Sequence, residues 1–130
     1  LGVVGALACR ELARRGHDVV GLERFSVGHT HASSHGESRI IRRTYPDRLH
    51  TRLMDEAYPL WDALQSDAGV GLWERTGILY FGPPAHEEIV GVRASLHAEH
   101  VPYRIDGPEE TLARHGLRLA ADEIGVWQED

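Results

Sequence analysis

Apolar residues recur at helical spacing near the start of the chain, and then the period changes. Leu7, Leu12 and the alanines between Gly5 and Arg15 share one side of a helix, with Glu11, Arg14 and Arg15 opposite. The pattern predicts a helix over Gly5 to Arg15, ended by Gly16. His17 to Glu23 reads as a short strand with Val19, Val20 and Leu22 inward. Phe25 to Ser34 fits neither period and reads as a loop, and Glu37 to Arg43 as a helical turn carrying Ile40 and Ile41 inward. Leu49, Leu53, Met54, Ala57, Leu60, Trp61 and Leu64 predict a long helix from Pro46 to Ser66, with Pro59 as a kink or break. Leu72 to Phe81, with Gly77 in its middle, predicts two short strands meeting at a turn or bulge, stopped by Pro83 and Pro84. A helix over Ala85 to His100, a strand over Val101 to Ile105, a short helix over Pro108 to His115 and a strand over Ile124 to Gln128 complete the series.

Alternation of strands and helices points to α/β or α+β architecture. A length of 130 residues with 42% apolar content suits one core-forming domain. No linker, repeat or low-complexity tract divides it. The net charge of −6, without a basic stripe, argues against a nucleic-acid partner. No apolar run approaches the ~20 residues of a membrane span, so no membrane partner is expected. Cys9 is the single cysteine, so an internal disulfide is excluded and a reducing, cytoplasmic setting is the expectation. In the first helix it reads as a buried structural thiol rather than a nucleophile.

The first helix carries more than amphipathicity. Gly2-x-x-Gly5 at its start, Gly16 at its end, Val19 in the following run and Glu23 behind it follow the later part of a G-x-G-x-x-G dinucleotide-binding fingerprint. In that reading Gly2 lets backbone approach a pyrophosphate, Gly5 lets the helix lie close on a strand, and Glu23 accepts from a ribose hydroxyl. A glycine-rich helix start also arises from packing alone, but the register of the later positions favours nucleotide binding. The first glycine of the fingerprint and the strand that feeds it would precede Leu1, so the chain is expected to be an internal piece of a larger protein.

After the loop comes Ser33-Ser34-His35-Gly36-Glu37-Ser38-Arg39-Ile40-Ile41-Arg42-Arg43-Thr44-Tyr45. On a helical turn, Arg39 and Arg42 would share a face. A guanidinium stays charged and offers a planar fork to a carboxylate or phosphate. Pairing of an arginine with Glu37 as a surface ion pair is the competing reading.

His35 to Arg42, the half-fingerprint ending at Glu23 and Thr76 to Pro83 together resemble the sarcosine oxidase and N-methyltryptophan oxidase family. These are FAD-dependent amine oxidases of the glycine oxidase/D-amino-acid oxidase fold. The resemblance runs over nearly the whole chain, most specifically from His35 to Tyr45 and from Thr76 to Pro83. It implies an FAD-binding, Rossmann-like α/β domain of the glutathione-reductase type, lacking its first strand, over residues 1–45. Residues 46–130 would form a helical segment and the start of an α+β substrate domain.

The resemblance also implies roles. Gly2 and Gly5 would line the FAD pyrophosphate, Glu23 would meet the adenosine ribose with Arg24 beside it, and Ser34, His35 and Ser38 would lie toward the flavin end. Arg39 would sit against the flavin ring and Arg42 would hold a substrate carboxylate, making these two the catalytic candidates. The implied chemistry is hydride transfer from the amine carbon of a sarcosine-like amino acid to flavin, followed by imine hydrolysis and reoxidation by oxygen to give hydrogen peroxide. A monomeric full-length enzyme is expected. The family's cysteine that tethers flavin lies later in such sequences, and Cys9 does not match it. Several relatives carry histidine where this chain has Ser34.

Two other classes compete. Glu23 would also suit the ribose of NAD in a nicotinamide dehydrogenase, although Arg39 and Arg42 have no evident task there; a non-catalytic nucleotide-binding piece is the other. His29, His31 and His35 lack an acid or thiol to complete a ligand set, so no metal is expected and the loop reads as solvated. His50, His86, His97, His100 and His115 read as surface residues, and Trp61, Trp73 and Trp127 as packing.

Overall fold

Gly2, in extended conformation, starts the first helix, α1 (Val3–Arg14), and Gly16 at φ +81° lies just past its end. The structure, a computed structural model, describes residues 1–130. It contains two compact units, Leu1–Ile41 and Arg42–Asp130.

In the first unit the Val3 N–H donates to Ser34 Oγ at 3.1 Å, so the helix start is capped by a side chain far along the sequence. No residue of α1 is buried, and Leu7 and Leu12, expected inward, remain exposed. His17 to Glu23 runs past α1 closely enough that a Cβ at Gly21 would lie 2.5 Å from Leu1 and 3.5 Å from Cys9 Sγ. It joins no ladder, against the expected strand, and Val20 and Leu22 are each 84% exposed. A strand needs a neighbour for its N–H and C=O groups, and none pairs with this run. The expected helical turn at Glu37 to Arg43 is absent too. Gly36 takes φ +123°, the backbone after it is irregular, and Ile40 is exposed. Without that turn, the shared helical face proposed for Arg39 and Arg42 does not exist.

The second unit opens with α2 (Arg48–Ala68), capped by the Asp47 carboxylate, which accepts from the His50 N–H at 3.2 Å. Gly69 closes it in left-handed conformation, and Pro59 sits inside without ending it. Its buried stripe is Thr51, Met54 and Tyr58, whereas Leu49, Leu53 and Leu60 face outward. Of the two strands expected between Leu72 and Phe81, only β1 (Ile78–Gly82) forms. The Leu72 and Trp73 N–H groups donate instead to Gln65 Oε1 on α2, at 3.0 and 3.4 Å, which takes them out of any ladder. Gly77 at φ +67° precedes β1, with the Trp127 ring occupying the space of a Cβ.

Then come α3 (Glu87–Ala98), β2 (Arg104–Asp106), α4 (Pro108–His115) and β3 (Ile124–Gln128). The last two coincide with the expected spans; β2 is shorter and later than expected because Val101 is drawn into the end of α3, its N–H bonding Leu96 O at 2.9 Å. The sheet is antiparallel in the order β1-β3-β2, with Tyr80 and Ile105 both opposite Val126. Ile89, Val92 and Leu96 recur at helical spacing on α3 and pack with Val101 and Val126 as the core, flanked by Tyr80, Tyr103 and Ile124. Gly91 allows α3 to approach Pro46, whose Cβ would lie 2.7 Å from an added methyl. No helix is long and apolar enough to cross a membrane.

Candidate functional site

The start of α1 and the loop from Gly28 to Gly36 enclose a cleft of about 390 Å³. Leu1, Gly2, Val3 and Ala6 line one side; Gly28, His29, Thr30, Ala32, Ser34, His35 and Gly36 line the other. A side chain at Gly2 would press on Ser34 Oγ at 2.9 Å, so the glycine sets how closely loop and helix approach. Three of the expected cofactor residues, Gly2, Ser34 and His35, therefore share one cleft at a helix N-terminus, where backbone N–H groups favour an anion.

The other expected residues of this unit lie around it. Gly5 admits the Leu1 side chain, 2.8 Å from where its Cβ would stand. Glu23 is not in the cleft wall but touches a residue that is: its Oε1 accepts from the Phe25 N–H at 2.9 Å and faces His29 Nε2 at 3.3 Å. His29 Nδ1 in turn accepts from the His31 N–H at 3.0 Å, and Phe25 stacks on His31 with ring centroids 4.3 Å apart. The histidine loop is largely exposed, as expected of a solvated loop, and His29 within it faces Glu23. Arg24 lies over the Phe25 ring at 5.5 Å. Arg39 curls back over the loop, its Nη2 donating to the carbonyls of Ser33 and His35. Ser38 is exposed.

In the second unit, Arg42 is half-buried, with its guanidinium carbon 5.1 Å from the centre of the Tyr45 ring and 5.9 Å from that of Tyr80. No carboxylate pairs with it. Arg43, next in sequence, behaves differently: it lies over Tyr58 at 5.0 Å and pairs with Asp55 and Asp130. The backbone from Arg43 to Tyr45 is held by Thr51, fully buried, whose hydroxyl lies 3.1 Å from Arg43 O and 3.3 Å from Tyr45 O. The Tyr80 hydroxyl donates to Glu88 on α3. That bond first, then burial, pushes the Tyr80 phenol above its usual range, with Arg42 opposing weakly. Tyr45, Thr51, Tyr58, Tyr80 and His29 were not picked out as site residues. The spacing of Tyr45 three positions after Arg42 was legible, but Tyr80 and Thr51 join through tertiary packing.

The model of the FAD dependent oxidoreductase family matches residues 1–130. The chain belongs to that family. Among other members, human peroxisomal sarcosine oxidase is 34% identical over 126 residues, a match covering 96% of this chain and 32% of that protein. A probable sarcosine oxidase of Arabidopsis thaliana is 36% identical over 127 residues, covering 96% and 30%. Among solved structures, a mutant of NikD, an amino acid oxidase essential for nikkomycin biosynthesis, superposes with a TM-score of 0.85 at 31% identity, over 99% of this chain and 34% of that one. The chain spans about a third of the length of the curated relatives it matches. Membership in an FAD-dependent family displaces the nicotinamide reading of Glu23.

Proposed function

We propose that the full-length protein is an FAD-dependent oxidase of a secondary or N-methyl amino acid such as sarcosine, with oxygen as the electron acceptor and hydrogen peroxide as the product. The observation that carries this is Arg42: a half-buried guanidinium, flanked by two aromatic faces and paired with no acid, in a family that uses FAD. Five N–H donors without an anionic partner suit a carboxylate arriving from outside. The relatives named sarcosine oxidase supply the substrate class.

The cleft beside α1 fits a dinucleotide. Gly2 leaves room for a pyrophosphate, the N-terminal N–H groups of α1 offer donors to it, and the Ser34 hydroxyl can turn from the Val3 N–H toward it. Gly5 keeps the helix start compact. Glu23 would supply the ribose acceptor with Arg24 beside it, and His35 and Ser38 would serve the flavin end. FAD supplies the two-electron chemistry. Arg39 would supply a fixed positive charge to the flavin, and Arg42 would align the substrate through its carboxylate. The protein acts as a monomer in this reading, in keeping with the monomeric sarcosine oxidases of Streptomyces avermitilis and Bacillus.

The test is an absorption spectrum of the full-length protein before and after anaerobic addition of sarcosine. Flavin bands that bleach, return with air and leave peroxide behind support the proposal. Flavin bands indifferent to every N-methyl amino acid move the protein to another reaction of the family.

A further inference from the structure

We propose that Tyr80, tethered by Glu88, is a positioning residue that holds the plane of the Arg42 guanidinium so that its N–H edge meets a carboxylate. This rests on the reading of Arg42 as the carboxylate-binding group. The two tyrosines come from separate places: Tyr45 follows Arg42 in the chain, whereas Tyr80 sits on β1, paired with Val126 at the centre of the sheet. Both rings lie within cation–π reach of the guanidinium carbon, at 5.1 and 5.9 Å, and such contacts restrict how the side chain can turn. A long arginine side chain otherwise samples many rotamers, and each must be given up when a ligand binds. Fixing it beforehand tightens binding with no new contact to the ligand.

Glu88 gives the arrangement its direction. It stands in the first turn of α3, a helix whose Ile89 and Val92 are buried in the core, so its backbone is held firmly. The Glu88 N–H is itself capped by His86 Nδ1 at 3.3 Å. By accepting from the Tyr80 hydroxyl, the carboxylate fixes the ring at its far end. The tether therefore orients the ring beside Arg42, which no acid pairs.

The experiment uses the full-length, flavin-loaded protein and acetate as the smallest carboxylate probe, followed by the change in flavin absorbance. Sarcosine kinetics are measured alongside. Tyr80→Leu should raise the acetate Kd and the sarcosine KM by about threefold to thirtyfold, the worth of a cation–π contact, with kcat within about twofold of the parent. Tyr80→Phe keeps the ring and should lose less than Tyr80→Leu. Glu88→Ala should raise the acetate Kd, and Glu88→Gln, which still accepts from the hydroxyl, should restore it. A folded Tyr80→Leu variant with unchanged acetate Kd, beside an Arg42→Leu variant that no longer binds acetate, overturns the role of Tyr80 and leaves that of Arg42. If Tyr80→Leu loses its flavin or its fold, Glu88→Ala decides, and an unchanged Kd there overturns the tether. Unchanged acetate binding in Arg42→Leu overturns the reading beneath the proposal.

Discussion

Two adjacent arginines in one segment have opposite surroundings, and this decides what each can do. Arg43 is consumed by structure: two aspartates and the face of Tyr58 hold it. Arg42 meets rings and no acid. Arg42→Ala in the full-length enzyme should raise the KM for an amino-acid substrate about tenfold to a hundredfold, from charge-assisted bonds of ~1.5–3 kcal/mol, while FAD stays bound. Loss of flavin from that variant would instead place Arg42 on the cofactor. Glu23→Ala should weaken FAD binding measurably by equilibrium titration of the apoprotein, and an unaltered affinity would remove Glu23 from the ribose. Thr51 has a structural task, since its buried hydroxyl faces the carbonyls of Arg43, Tyr45 and Asp47. Thr51→Val should cost about 1–3 kcal/mol in a denaturant melt.

At the level of elements, glycines and a side-chain amide mark where local pattern and outcome part. Gly77 lies at φ +67° with Trp127 packed where a Cβ would go, so Gly77→Ala should destabilise the unit by about 1–2 kcal/mol from backbone conformation alone, with the displaced ring adding to it. Circular dichroism during thermal unfolding reads this directly. The helix Pro108–His115 was legible because Pro108 opens it and Gly116 closes it, and the strand Ile124–Gln128 because it is a short run rich in β-branched and aromatic residues. The stretch from Leu72 to Thr76 was misread because Gln65, on another element, takes its N–H groups. The stripe on α2 was misread in a related way: Leu49, Leu53 and Leu60 keep helical spacing, but tertiary packing buries the face of Thr51, Met54 and Tyr58. Of the site, the arginines, the glycines and Glu23 stand in local motifs and were visible. Tyr80 and His29 act through neighbours that no spacing reveals.

Across the molecule, acid stability should concentrate at Asp106. It is 2% exposed, and Arg104 grips it with Nε at 2.7 Å and Nη2 at 2.9 Å. Arg114 and His115 of α4 face it at 3.8 and 3.7 Å. The Arg104 bond, above all, holds the Asp106 carboxyl below the usual carboxylate range. A pKa lower in the folded state means stability that is fully present above the unfolded value and lost as pH falls through the folded one. Unfolding midpoints of the parent should therefore drop below about pH 4, and Asp106→Asn should flatten that limb of the curve. The division of the chain carries a different consequence. The boundary between the two units falls after Ile41, so it separates Arg39 from Arg42 although only two isoleucines stand between them. A crossover between homologous genes at that point would inherit the arginine proposed for the cofactor from one parent and the arginine proposed for the substrate from the other. Substrate preference could then be exchanged by recombination while the cofactor grip was passed on intact.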